Sequence, residues 1–320
     1  MNTAIEQIRA GVEAHLNGNL KAAESAYLAA LTVDAANATA HNNLGFIYGQ
    51  CQRWDEALLH LRTALDLKPD LSMAHSNLGQ VLMNLGLAEE GMEHLEKAVD
   101  LDSENLQAWD NLGRFCLHAG NFQRAEYSWL RALGIRPHTP HLMVRLGTAI
   151  AAQGRFDEAI ELYQQVLRNH PIDVDAWAQL GVCYFLRKDF GSCQSALERA
   201  LTIKADDHIA LRHLGLVHIA LGAKQEAEAV FAELLRHYPG DQETLLDLAV
   251  LQLSLDNPAT ALAKLEQLYI KDATNERIRF YLALALRACG EPARASDLLQ
   301  EIAIAQGLYA QKARQILDVH

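Results

Sequence analysis

Histidine is the side chain here with the most apparent chemical promise. There are 14 in 320 residues, and neutral imidazole is both a ready metal ligand and a proton carrier. Their spacing argues against a metal. His41 and His75 lie 34 residues apart, as do His60 and His94. In a chain that repeats every 34 residues this puts the members of each pair on successive repeats, about 10 Å apart at helix-packing distances. His208, His213 and His218 are five apart and scatter around a helix. His138 and His141 have a ligand-like spacing, but Pro140 stands between them and no third Cys or carboxylate joins them in sequence, whereas a structural zinc needs four ligands. The five cysteines form no CxxC pair, and an odd number suits a reduced compartment better than a disulfide framework. Cys183 and Cys193 fall on partner helices and come close as small apolar residues. No glycine-rich phosphate loop, nucleophile elbow or paired-carboxylate motif is present. The chain is therefore expected to be non-catalytic, with no metal and no cofactor.

Charge and hydropathy narrow the partners. A formal charge of −12 with a sequence pI near 5.6 repels phosphate backbones and anionic lipid surfaces, so nucleic acid is not an expected partner. The first residues carry neither a basic region nor an uninterrupted apolar run, and no stretch approaches the ~18 apolar residues of a membrane span. The expectation is a cytoplasmic protein without direct membrane insertion.

The elements that must position any site follow from an internal period. Gly11, Gly45, Gly79, Gly113, Gly147, Gly181 and Gly215 are spaced 34 residues apart without a slip; at average glycine usage the odds of that are on the order of 10⁻⁷. A leucine precedes each of the last six, and Leu248 and Leu282 continue the register with Ala249 and Ala283 in the glycine position. Twelve residues after each small residue comes a second, Ala23 through Ala295, and four further on a bulky one, among them Tyr27, Trp129, Tyr163 and Phe231. Two small residues let a pair of helices approach, and the bulky one is expected to fill the space between neighbouring units. Gly18, Gly86, Gly120, Gly154, Gly222 and Gly290 mark the turn inside a unit, and Pro69, Pro137, Pro171 and Pro239 its end. Thr139-Pro140 and Asn257-Pro258 read as N-caps with proline at the first helical position.

A 34-residue unit of this pattern, seen best in Trp109, Leu112, Gly113, Ala125, Trp129, Ala132 and Pro137, resembles the tetratricopeptide repeat. The resemblance implies an all-α fold: an α-solenoid, wound as a right-handed superhelix, of nine helix-turn-helix units. The units fall at residues 4–37, 38–71, 72–105, 106–139, 140–173, 174–207, 208–241, 242–275 and 276–309. A C-terminal capping helix ends over 310–320. Its apolar face gathers Leu308, Tyr309, Ala313, Ile316 and Leu317.

In this family the first helix of each unit lines a concave groove. The resemblance therefore nominates two zones for a protein or peptide ligand. One is polar: Asn42, Asn43, Phe46, Asn77, Gln80, Asn111, Arg114, His141 and Arg145. The other is apolar: Val182, Phe185, Leu216, Ile219 and Val250. Asn43, Asn77 and Asn111 recur at one position of three consecutive units, a pattern similar to the asparagine ladder of the O-linked N-acetylglucosamine transferase superhelix. Such a ladder grips a peptide backbone without reading its sequence, because an amide both donates and accepts. The carboxylate clamp of cochaperones is matched only at Asn111 and Arg145. The expected function is an interaction scaffold that captures an extended or helical segment. The alternative is a self-assembling protein that pairs through repeat ends or convex faces; the Ile5, Ile8 and Val12 stripe of the first repeat is expected to contact either a partner or a second copy.

Overall fold

A computed structural model describes residues 3–305 and 307–318, and among these it contains nineteen helices and no strand. In order they are α1 Ala4–Leu16, α2 Leu20–Val33, α3 Ala38–Gln50, α4 Trp54–Leu67, α5 Ser72–Asn84, α6 Ala88–Leu101, α7 Leu106–His118, α8 Phe122–Ile135, α9 Pro140–Ala152 and α10 Phe156–Asn169. Then follow α11 Val174–Leu186, α12 Phe190–Ile203, α13 His208–Ala220, α14 Lys224–His237, α15 Gln242–Ser254, α16 Pro258–Lys271, α17 Glu276–Ala288, α18 Pro292–Ile304 and α19 Ala310–Leu317. The contacts divide into two compact units, one reaching to Leu162 and the other beginning at Tyr163.

Helix starts are set by a cap that recurs with the repeat. Asn37, Asn105, Asp173, Asp207, Asp241 and Asn275 each accept a hydrogen bond from the third backbone N–H of the helix they open, which satisfies a donor the helix itself leaves free. The two expected caps before proline differ. Thr139 and Asn257 do precede a helix with proline at its start, but neither side chain caps it; the Thr139 hydroxyl donates to the Arg136 carbonyl instead. The turn between the two helices of a unit requires one residue at positive φ. Six units place glycine there, with φ between 75° and 83°, and three place Gln52, Lys188 or Asp256 at 59°, 62° and 59°.

The small-against-large pattern packs inside the unit. A methyl group on Gly113 would lie 2.6 Å from the Trp129 ring, and one on Gly215 2.3 Å from Phe231. The structure thus seats the bulky residue against the glycine of its own unit, a contact the expected inter-unit role did not include. Where Ala249 and Ala283 replace glycine the facing residues are Leu265 and Leu299, all four buried. In the first unit the core runs through Tyr27, Leu44, Leu61, Leu78 and Leu82, and in the second through Leu246, Leu265, Phe280, Leu286 and Leu299.

The C-terminal helix differs in detail from the expected cap, whose last two residues lie outside those described. It starts only at Ala310. Leu308 is therefore outside it and exposed, whereas Tyr309 stacks on Phe280 with centroids 4.7 Å apart and Ala313 is fully buried. The Glu276 carboxylate accepts from the backbone N–H groups of Leu308 and Tyr309 and so fixes where the last helix turns.

Candidate functional site: first-helix faces of the two units

The first helices α3, α5 and α7 pack side by side, and a hollow of about 410 Å³ opens on them. Phe46 and Gln50 come from α3, Gln80 and Asn84 from α5, and Gln107 and Arg114 from α7, with Asn77 and Asn111 at the base. Five of the nominated polar residues are thereby brought together. The ladder asparagines do not stand free in it. Asn77 Nδ2 donates to Asn42 Oδ1 at 2.9 Å, Asn42 Nδ2 donates to Asn43 Oδ1 at 3.1 Å, and Asn111 Nδ2 donates to Ser76 Oγ at 3.1 Å. Gln107 Nε2 in turn donates to Asn111 Oδ1. Asn111 is 1% exposed and Asn42 2%, so these amides join neighbouring first helices before they can meet a ligand. Asn77 Oδ1 and the whole Asn84 amide accept or donate no hydrogen bond among the described residues.

The seam continues with charge. Arg145 pairs with Asp110, and Asp110 also accepts from the Trp129 indole N–H at 2.9 Å. Arg145 is thus held by the preceding repeat, while His141 is exposed. Each of these links joins residues 35 apart: Asn42 with Asn77, Ser76 with Asn111, Asp110 with Arg145. The second unit repeats the geometry in Arg212 with Asp247 at 3.2 Å. Sequence reasoning did not pair Ser76, Asp110 or Asp247 with a residue of a neighbouring repeat, although a 35-residue spacing between polar residues in a 34-residue repeat is the signal that reveals those links.

In the second unit the nominated apolar residues are sheltered by the chain to different degrees. Phe185 is half-buried, with its ring 5.9 Å from both Phe190 and His213. Leu216 packs on the cluster around Phe231, and Val250 on the one around Leu265. Val182 is half-buried, whereas Ile219 is 40% exposed.

The histidines pair in a way their 34-residue spacing did not suggest. His41 faces His60 with Nδ1 atoms 2.8 Å apart, and His75 faces His94 at 2.7 Å. The Nε2 atoms of His41 and His75 lie on the carbonyls of Ala35 and Pro69. A carbonyl only accepts, so those nitrogens carry the proton, and His60 and His94 donate through Nδ1. Burial first, then the facing imidazole, lowers the pKa of His60 and His94, and burial lowers that of His75. Each pair brings only two donor atoms, and no group of three His, Cys, Asp or Glu suited to a metal occurs among the described residues. Cys183 and Cys193 are both buried, which pushes their thiols up to about 11 and about 12, far from the reactive thiolate range. No helix among the described residues is long and apolar enough to cross a membrane.

Comparison with known proteins bears on the whole array. Models described as tetratricopeptide repeat match residues 76–140, 151–215 and 194–242, and one described as TPR repeat matches 47–86. The general transcriptional corepressor ssn6 of Schizosaccharomyces pombe is 30% identical over 110 residues, 34% of this chain and 10% of that protein. The BBSome complex member BBS4 of Bos taurus is 26% identical over 187 residues, 57% of this chain and 35% of that one. The chain thus spans about a tenth and about a third of these relatives' lengths. Among solved structures, a tetratricopeptide repeat protein from Parabacteroides merdae superposes with a TM-score of 0.63 at 18% identity, covering 78% of this chain and 98% of its own. The APC/C hetero-tetramer Cut9-Hcn1 gives 0.65 at 16% identity, covering 83% and 52%. These likenesses establish an all-α solenoid fold, and with the period, the packing pairs and the matched models in agreement, the chain belongs to the tetratricopeptide-repeat family.

Proposed function

We propose that the chain is a non-catalytic scaffold whose nine units hold another polypeptide, and that the hollow on α3, α5 and α7 is where an extended segment lies. The observation that carries this reading is the convergence there of Phe46, Gln50, Gln80, Asn84 and Arg114 from three successive first helices around the unengaged Asn77 oxygen. A carbonyl oxygen and a free amide at the base of an open polar hollow suit a peptide backbone, which offers one donor and one acceptor per residue. The acidic chain favours a polypeptide over a nucleic acid as the occupant. Relatives named for a corepressor and for membership of the BBSome complex agree with a role inside assemblies.

The test is to select 12-residue peptides from a random displayed library on the full chain. The expected result is a class of peptides whose affinity falls at least tenfold with Asn84→Ala/Arg114→Ala and which protects α3, α5 and α7 from hydrogen exchange. If every selected peptide binds that variant as tightly as the parent chain, the hollow is not the site. Self-association is a second reading favoured by α1, where Ile5 is 69%, Val12 40% and Leu16 80% exposed. Sedimentation equilibrium of the parent and of Ile5→Asp decides it, since only an α1 contact makes the two differ.

A further inference from the structure

At three junctions between successive second helices an ion pair joins residues 28 apart. Arg62 of α4 bonds Glu90 of α6 at 3.2 Å, Glu96 of α6 bonds Arg124 of α8, and Glu266 of α16 bonds Arg294 of α18 at 3.1 Å. Between α10 and α12 the same two positions hold Gln164 and Ser192. Neither is charged and no ion pair joins them, as is also the case for Leu28 with Glu56, Leu130 with Glu158, Glu198 with Glu226 and Ala232 with Thr260 at the equivalent positions. A cleft of about 820 Å³ opens at that place, whereas the one between α16 and α18, where Glu266 and Arg294 meet, measures about 460 Å³.

The lining of the open cleft is specific. Its floor is Trp177, Leu180 and Tyr184 of α11, and its rim carries Arg168 of α10 and Arg199 of α12. The Trp177 indole N–H donates to the Pro171 carbonyl at 2.9 Å, which fixes the ring. Both arginines are exposed and neither makes a hydrogen bond or ion pair among the described residues. Among those residues the lining contains two cations and no carboxylate, in a chain whose net charge is −12. We infer that this cleft is a second docking site, for an acidic segment of a partner protein that inserts one leucine or aromatic side chain over Trp177 and Tyr184 and sets carboxylates against Arg168 and Arg199. An apolar anchor in a pocket beside aromatics supplies most of the energy of such a contact. Arginine's planar fork matches a carboxylate with two parallel hydrogen bonds, so the flanking charges fix register and orientation. The site shares no residue with the hollow on α3, α5 and α7 and does not depend on it.

The 12-residue library selected on the full chain tests this directly, followed by titration of fluorescein-labelled synthetic copies of the enriched peptides. Two variants address the cleft. Gln164→Glu/Ser192→Arg installs the ion pair that Glu96–Arg124 and Glu266–Arg294 make at the same positions and closes the mouth without emptying the core. Arg168→Glu/Arg199→Glu reverses the rim charge at exposed positions and should leave the thermal unfolding curve in place. The expected result is a peptide class with Leu, Phe or Trp within four residues of Asp or Glu, whose affinity falls at least tenfold in either variant and weakens as salt rises. Peptides whose affinity is set by Arg114 and is untouched by both cleft variants would overturn the cleft while leaving the hollow standing. A chain that dimerises, loses the dimer on installation of that ion pair and enriches no acidic-apolar peptide would assign the cleft to a second copy and likewise overturn the inference.

Discussion

The first-helix face of the first unit and that of the second solve one packing problem with different chemistry. In α3, α5 and α7 the positions that meet across helices are Asn42 with Asn77 and Ser76 with Asn111, neutral groups joined by one hydrogen bond each. In α11, α13 and α15 the corresponding positions include the fully buried Ala178 and the charged Arg212–Asp247 pair, while Phe185, Leu216 and Val250 fill in around them. The difference teaches that a polar side chain on the first-helix face of a repeat serves the stack first. One turn further along, Arg114 still donates to Gln80 at 3.0 Å across the helices, and the exposed Asn84 lies a turn beyond that.

The comparison breaks most visibly at its two large anchors. Trp129→Ala is expected to cost about 3–5 kcal/mol in urea unfolding, the usual range for emptying a core aromatic site, and it also leaves Asp110 without its indole donor. Phe231→Ala should cost a similar amount without touching any polar link. Trp129→Phe keeps most of the packing and removes the hydrogen bond to a carboxylate, about 1.5–3 kcal/mol, together with part of the buried ring; no loss at all would show that Asp110 is held by Arg145 alone.

Phe185→Ala is next. Its ring is half-covered by Phe190 and His213, so roughly half of a core aromatic's cost, about 2 kcal/mol, should appear as lost stability. An unchanged unfolding midpoint would mean that the ring is held for a ligand. Asn77→Ala should cost about 1 kcal/mol, the net worth of one buried hydrogen bond. Leu216→Val in the second unit serves as a control that deletes a methylene and no polar contact. Equal destabilisation by Asn77→Ala in the presence and absence of a selected peptide is expected if the amide serves the stack, and a larger effect on binding than on folding is the contrary result.

Acid should act more on the first unit than on the second. His60, His75 and His94 have folded pKa values below the unfolded value near 6.5, as does His213 in the second unit. The unfolded chain therefore binds more protons, stability is full above about pH 6.5, and it declines as pH falls through that value. His60 faces His41 and Glu56; His94 faces His75, Glu90, Lys97 and Arg62. The melting temperature should drop between pH 7 and 5, and His60→Asn/His94→Asn should flatten that drop. A profile that is flat in the parent chain contradicts the buried pairs. The smallest effect is at the turn: Gln52→Gly should raise stability by up to about 1 kcal/mol, because it relieves a left-handed backbone at some entropic cost.

The period of the glycines, the small-to-large spacing and the turn glycines determined the all-α repeat fold by themselves, since each is a local requirement of two helices approaching closely and reversing direction. Composition likewise determined that the chain is acidic, and a Leu-Gly pair every 34 residues marked the first helix of each unit. Other features depended on which side chains met across helices, and only the tertiary structure decided those. A 34-residue period says that Asn43, Asn77 and Asn111 are equivalent but not that Asn77 bonds to Asn42, because that link joins the fifth position of one unit to the sixth of the next. It aligns His41 with His75 but cannot show His41 against His60, which lies on the other helix of its own unit. The cleft beside Gln164 and Ser192 was equally hidden, because its lining comes from three helices, α10, α11 and α12, and no single spacing in the sequence marks it.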